Sequence, residues 1–168
     1  PARTVSTASR VPPIIDAAGN AYFIDLRLHA ANGEELATSL YWLSTSPDVP
    51  DWDASEWFVT PMAEFADLTG LQELPRVDIE VQHAIAATDD GHSVTATLHN
   101  PGEHIAFFIE LSVIDASSGR LAAPVLWSDN YISLMPGETR RVTAEVPAHA
   151  ASGDALAFHY AGINVNED

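Results

Sequence analysis

Apolar and polar residues alternate in short runs along most of the chain, with the period of two that marks a strand buried on one face. In Val77-Asp78-Ile79-Glu80-Val81 the aliphatic side chains share one side and the carboxylates the other. Val94, Ala96 and Leu98 repeat the arrangement against Ser93, Thr95, Thr97 and His99. The pattern predicts strands over residues 21–28, 40–44, 77–85, 93–99, 105–114, 121–127, 141–146 and 156–163. Asn32-Gly33, Asp89-Asp90-Gly91, Asn100-Pro101-Gly102, Ser117-Ser118-Gly119 and Pro136-Gly137-Glu138 supply the reversals between them. Several short strands at this spacing predict an all-β sandwich.

Two stretches break the alternation. Ile105-Ala106-Phe107-Phe108-Ile109 is apolar on both faces, as in a central strand whose outer side a neighbouring domain covers. Over residues 60–74, Met62, Phe65, Leu68, Leu71 and Leu74 recur three apart and stop at Pro75. This spacing predicts the chain's limited helical content and an ordered connector packed on a domain surface.

The chain also repeats itself. Ala21-Tyr22-Phe23-Ile24-Asp25-Leu26-Arg27-Leu28 matches Ala106-Phe107-Phe108-Ile109-Glu110-Leu111-Ser112-Val113 in its order of aromatic, aliphatic and acid. Ala30-Ala31-Asn32-Gly33-Glu34-Glu35-Leu36 then parallels Asp115-Ala116-Ser117-Ser118-Gly119-Arg120-Leu121, and a tyrosine follows in each copy, Tyr41 and Tyr131. The same hairpin is expected twice. Residues 76–104 leave room for two strands before the second copy. The 20 residues before the first include Pro12 and Pro13, which suit only an edge or a loop. The expected organisation is therefore a truncated β-sandwich at residues 1–58, a connector at 59–75 and a complete sandwich at 76–168.

Charge narrows the choice of partner. All seven basic residues are arginines, and 24 acidic ones bring the net charge to -17. Nucleic acid and anionic membranes would be repelled, whereas a cationic or neutral ligand is compatible. Acid excess also fits the solubility of a secreted or salt-tolerant protein, with an extracellular or periplasmic location expected. No apolar run nears the roughly 18 residues of a membrane span. Without cysteine there is no disulfide and no thiolate chemistry. Pro1-Ala2-Arg3-Thr4 opens without Met or a targeting signal, so the chain reads as cut from a longer one.

Trp127-Ser128-Asp129-Asn130-Tyr131-Ile132-Ser133-Leu134-Met135-Pro136-Gly137-Glu138, preceded by Ala106-Phe107-Phe108, resembles the C-terminal immunoglobulin-like domain of exo-β-glucosaminidases. These belong to glycoside hydrolase family 2, alongside β-mannosidases and endo-β-mannosidases. Tyr41-Trp42-Leu43-Ser44, Asp51-Trp52-Asp53 and Ala66-Asp67-Leu68-Thr69-Gly70-Leu71 resemble the preceding domain and connector of the same enzymes. The likeness covers nearly the whole chain. It implies immunoglobulin-like sandwiches that support a catalytic (β/α) barrel and act in the degradation of β-linked glucosamine or mannose. The two catalytic glutamates of such families sit on the barrel, no part of which is present. Thr38-Ser39-Leu40 departs from the pattern, because relatives often carry there a Ser-Asp-Asn like Ser128-Asp129-Asn130.

Chemistry within the chain is sparse. A retaining glycosidase needs two carboxyl groups roughly 5 Å apart, one with a raised pKa, and no pair here is marked by an apolar setting. Trp52 and Trp57, among Asp51, Asp53 and Glu56, would suit a sugar-stacking module, with chitosan favoured by charge, or would anchor the connector on an adjacent domain. Trp127, Asp129 and Asn130 would form an ordinary turn or a loop reaching the barrel mouth and an oligosaccharide. The seven histidines lack metal-ligand spacing, and no cofactor motif occurs.

Overall fold

The structure, a computed structural model, describes residues 17–150 and 155–166; the expected edge at Pro12 and Pro13 lies outside them. Two compact units divide the chain, residues 1–74 and 75–168.

In the first unit, β1 (Ala17–Ala18), β2 (Ala21–His29) and β3 (Glu35–Ser44) form an antiparallel sheet in that order. The β2–β3 turn closes with Gly33 at φ 86°, while Asn32 Oδ1 accepts the Glu34 amide at 3.1 Å. Then β4 (Val49–Pro50) pairs with β5 (Met62–Glu64). The helix expected over residues 60–74 reduces to a 3-10 turn, Thr69–Glu73, because Met62–Glu64 is spent on the strand pairing. Asp67 precedes that turn and accepts from the hydroxyl and amide of Thr69 and from Asn20. These bonds hold its carboxyl below the usual range, the Thr69 hydroxyl contributing most.

The second unit is two sheets. One is ordered β6 (Glu80–Thr88), β7 (Gly91–His99), β11 (Thr139–Pro147), β9 (Leu126–Trp127). The other is ordered β10 (Ile132–Leu134), β8 (Ala106–Asp115), β12 (Leu156–Ala161). Alternation places the core. Val94 and Ala96 on β7 lie opposite Ala144 and Val142 on β11, and all four are buried with Leu98 and Val146. From the other sheet Ile109, Leu111, Val113, Ile132 and Leu134 complete the interior. Fully burying such a side chain contributes about 1.5–3 kcal/mol.

Local chemistry explains the turns. Met135-Pro136-Gly137-Glu138 is a reversal in which the Glu138 amide donates to Met135 O at 2.9 Å. Proline presets its first corner and Gly137, at φ 75°, its second. Gly91 has φ 144°, and a Cβ there would lie 2.2 Å from Val146 O, so the β6–β7 turn tolerates no side chain.

The structure refines three strand expectations. Residues 105–109 are apolar throughout and contain a bulge. Ile132 pairs with Ile109 but Leu134 with Ala106, so β8 holds one extra residue, absorbed with Phe108 at φ 56°. Phe107 is 1% exposed although it lies outside the clusters packed between the sheets, and its ring is 5.6 Å from that of Phe108, which is 36% exposed. The strand expected at residues 121–127 survives only at Leu126–Trp127 and in a bridge from Leu121 to Ile114, since Pro124 has no amide to donate. The strand expected from residue 77 begins at Glu80; Val77 instead bridges in parallel to Val165.

Candidate functional site

The loop leaving β9 carries three of the expected site residues. Trp127 is half-buried and packs on both halves of the core, with its ring edge-on to Phe158 at 6.3 Å. Ser128 extends the pairing with β11: its amide donates to Thr143 O, and its hydroxyl accepts the Thr143 amide. Asn130 substitutes for a strand residue. Its Oδ1 accepts the Leu111 amide at 2.7 Å, and its Nδ2 donates to Leu111 O at 2.9 Å. The same oxygen accepts the Tyr131 amide, which fixes the loop to β8.

Asp129 is the exposed member of the three. Its Oδ1 accepts the Asn130 amide, and Oδ2 faces Arg140 at 3.4 Å. Arg140 is held more closely by Glu138, at 2.7 Å. Solvent screens the Asp129 pair, which is worth about 0–1 kcal/mol.

The loop ends in an aromatic pair that the sequence reading did not single out. Tyr131 sits at φ 53°, its ring 5.4 Å from Phe108, and its hydroxyl donates to Glu110 at 3.1 Å. That hydrogen bond, then the charge of Glu110, raises the phenol's pKa. Two adjacent aromatic residues with left-handed backbones were not readable beforehand, because the bulge depends on how β8 registers with β10.

Trp52 and Trp57 lie in the first unit, on a hairpin that prolongs β4–β5. Asp51 donates its amide to Pro61 O, and its carboxylate accepts the Ala54 amide. Glu56 and Val59 exchange both backbone hydrogen bonds, leaving Trp57 and Phe58 as a two-residue tip. Trp52 is 73% exposed and Trp57 99%. The structure thus groups Trp127 with Asp129 and Asn130 on one loop, and Trp52 with Trp57 on one hairpin.

Sequence reasoning missed a second amide clamp, Asn164. It is buried; its Nδ2 donates to Pro75 O and Ile105 O, and its Oδ1 accepts the Phe107 amide. No turn motif surrounds it to give a signal.

Glycosidic acid catalysis needs a carboxyl with a raised pKa. The carboxyls displaced here move the opposite way. Asp67 is lowered, and Asp115 is lowered to about 2 by the Ser117 hydroxyl and by the Ser118 amide and hydroxyl. Among the described residues, no three His, Asp or Glu side chains are grouped to hold a metal.

Two antiparallel sheets enclosing one core, with a loop crossing from β9 back to β10, define an immunoglobulin-like sandwich region. Residues 57–165 match the family described as the exo-beta-D-glucosaminidase Ig-fold domain, and the chain belongs to that family. An exo-beta-D-glucosaminidase of Streptomyces avermitilis is 34% identical over 165 residues, covering 96% of this chain and 18% of its own length. One from Arthroderma benhamiae is 38% identical over 138 residues, covering 76% of this chain and 15% of its own. The crystal structure of Amycolatopsis orientalis exo-chitosanase CsxA superposes with a TM-score of 0.81 at 34% identity, over 89% of this chain and 18% of that one. A complex of CsxA with PNP-beta-D-glucosamine gives 0.83 over 97% and 19%. The chain therefore spans less than a fifth of the length of these relatives.

Proposed function

We propose that this chain is the non-catalytic, C-terminal immunoglobulin-like region of a glycoside hydrolase acting on β-linked glucosamine. It packs against and supports a catalytic barrel carried by the rest of the polypeptide. The observation that carries this reading is identity of 34% along 96% of the chain to an enzyme of which the chain makes up 18%. In this reading residues 1–58 are the end of one sandwich, 59–75 the connector and 76–168 a complete sandwich. Mannose is the less favoured sugar, since the relatives named above are glucosaminidases and an exo-chitosanase.

Of the loop residues, Asp129 is the one suited to meet an oligosaccharide or the barrel rim. Trp127 and Asn130 are engaged in packing and in holding the loop to β8. The test is turnover of chromogenic β-glucosaminide and β-mannoside by this chain and by its full-length parent. The parent is expected to hydrolyse the glucosaminide and the chain neither. Hydrolysis by the chain that a single carboxylate substitution abolishes would overturn the proposal.

A further inference from the structure

We propose that the Trp57–Phe58 hairpin tip is an anchor that inserts into an apolar pocket on the remainder of the parent polypeptide. This rests on the reading that the chain is one region of a larger enzyme. Exposure is the first observation: Trp57 is 99% exposed, Phe58 82% and the neighbouring Val59 56%. Each aromatic side chain offers roughly 150–250 Å² for burial, and a ring left in water contributes none of it.

The tip is also preorganised. Below it run the Glu56 and Val59 hydrogen bonds of 2.9 and 2.7 Å, the Ser55–Thr60 hydroxyl contact at 3.0 Å and the Asp51 amide bond to Pro61 O. Trp57 itself is held at φ 31°, a left-handed conformation that a bulky residue adopts only under constraint. A rigid tip loses little entropy on docking, so the burial is expressed as affinity.

Geometry and charge select the occupant. The two rings are 5.3 Å apart and tilted by 60°, so together they form a wedge suited to an apolar pocket and share no single flat face. Asp51, Asp53 and Glu56 belong to the same hairpin segment, so two copies meeting tip to tip would bring like charges together. The acceptor is therefore apolar at its centre and neutral or basic at its rim. Over 80% of each relative's length lies outside the matched segment, which leaves ample surface to supply it.

Hydrogen exchange across residues 51–61 tests this, comparing this chain with the full-length parent. Exchange is expected to be at least about tenfold slower in the parent, as for a hot-spot contact. Trp57→Ala in the parent should abolish that protection, and Trp57→Phe should keep most of it. Equal exchange in the two proteins would overturn the proposal. So would protection that survives Trp57→Ala while saturable binding of glucosamine oligomers is lost, which would make the tip a sugar contact. If Trp57→Ala does not fold, the unsubstituted pair and Trp57→Phe still decide. Absence of glucosaminide hydrolysis by the parent would sink the enzymatic reading and leave the exchange comparison interpretable.

Discussion

The repeated sequence pairs with a return strand in both units, as a direct hairpin between β2 and β3 in the first and, after the excursion through β9, between β8 and β10 in the second, and its two copies meet different environments. Ile24 pairs with Tyr41 in the first, and the matching Ile109 pairs with Ile132 in the second, so the return strands sit within a residue of the same register. Leu111 and Val113 are buried at 2% and 1%, whereas their counterparts Leu26 and Leu28 are 47% and 59% exposed. One cause is phase. The β8 bulge at Phe107-Phe108 shifts the alternation by one, so Ala106, Ile109, Leu111 and Val113 all face inward. In β2 the register runs unbroken from Ala21 to Leu28, so Leu26 and Leu28 fall on the face opposite Ala21 and Phe23. The second cause is cover: β8 lies in a unit with a second sheet, and the outer part of β2 has none among the described residues. A strand's pattern states which side wants burial, and only a facing layer supplies it.

The sharpest break of this comparison is truncation at the matched position. Leu111→Ala should cost this chain about 2–5 kcal/mol in urea denaturation, while Leu26→Ala should stay within about 0.5 kcal/mol. Equal losses would mean that the first copy is as enclosed as the second. In the full-length parent Leu26→Ala is expected to rise toward the core value, measured by the same denaturation.

Next in size is Asn164→Ala, expected to cost about 1–3 kcal/mol by leaving the buried Ile105 carbonyl and Phe107 amide without their partner. Near-UV circular dichroism during unfolding would read it. The first unit offers no equivalent among its described residues, and Asn20→Ala, which breaks an exposed bond to Asp67, should cost a few tenths at most. Gly137→Ala should cost about 1 kcal/mol, because the turn holds φ at 75°.

Acid tests the comparison through single carboxylates. Asp115 stays ionised down to about pH 2, so it binds fewer protons folded than unfolded. Its contribution is present above the ordinary carboxylate pKa near 4 and is lost as pH falls from there toward 2. Asp115→Asn should flatten stability across that window in an acid titration of unfolding. Asp67 is shifted in the same direction, so Asp67→Asn tests whether the first unit shares the trend.

Much of the fold was legible because it is written in neighbours. Alternation marked Val94, Ala96 and Leu98 as core, and Pro136-Gly137 marked its turn, since both depend on residues within one strand or one reversal. The candidate loop was legible as a place, through the run from Trp127 to Glu138. Its workings were not. Asn130 bonds across 19 residues to Leu111, and Tyr131 reaches Glu110, pairings that exist only once β8 and the loop are juxtaposed.

By itself, the amino-acid sequence determined the all-β class, the internal repeat, the acid excess and membership in a glycosidase region, because composition, period and motif are properties of the chain alone. Tertiary structure decided the rest. It turned residues 105–109 into a bulge, dissolved most of the expected 60–74 helix into a strand and a 3-10 turn, and made Asn164 a clamp. It also set Trp57 at the tip of a hairpin in open solvent. Each outcome depends on which distant backbone groups and apolar surfaces come within reach, a matter of three-dimensional neighbours and not of sequence period.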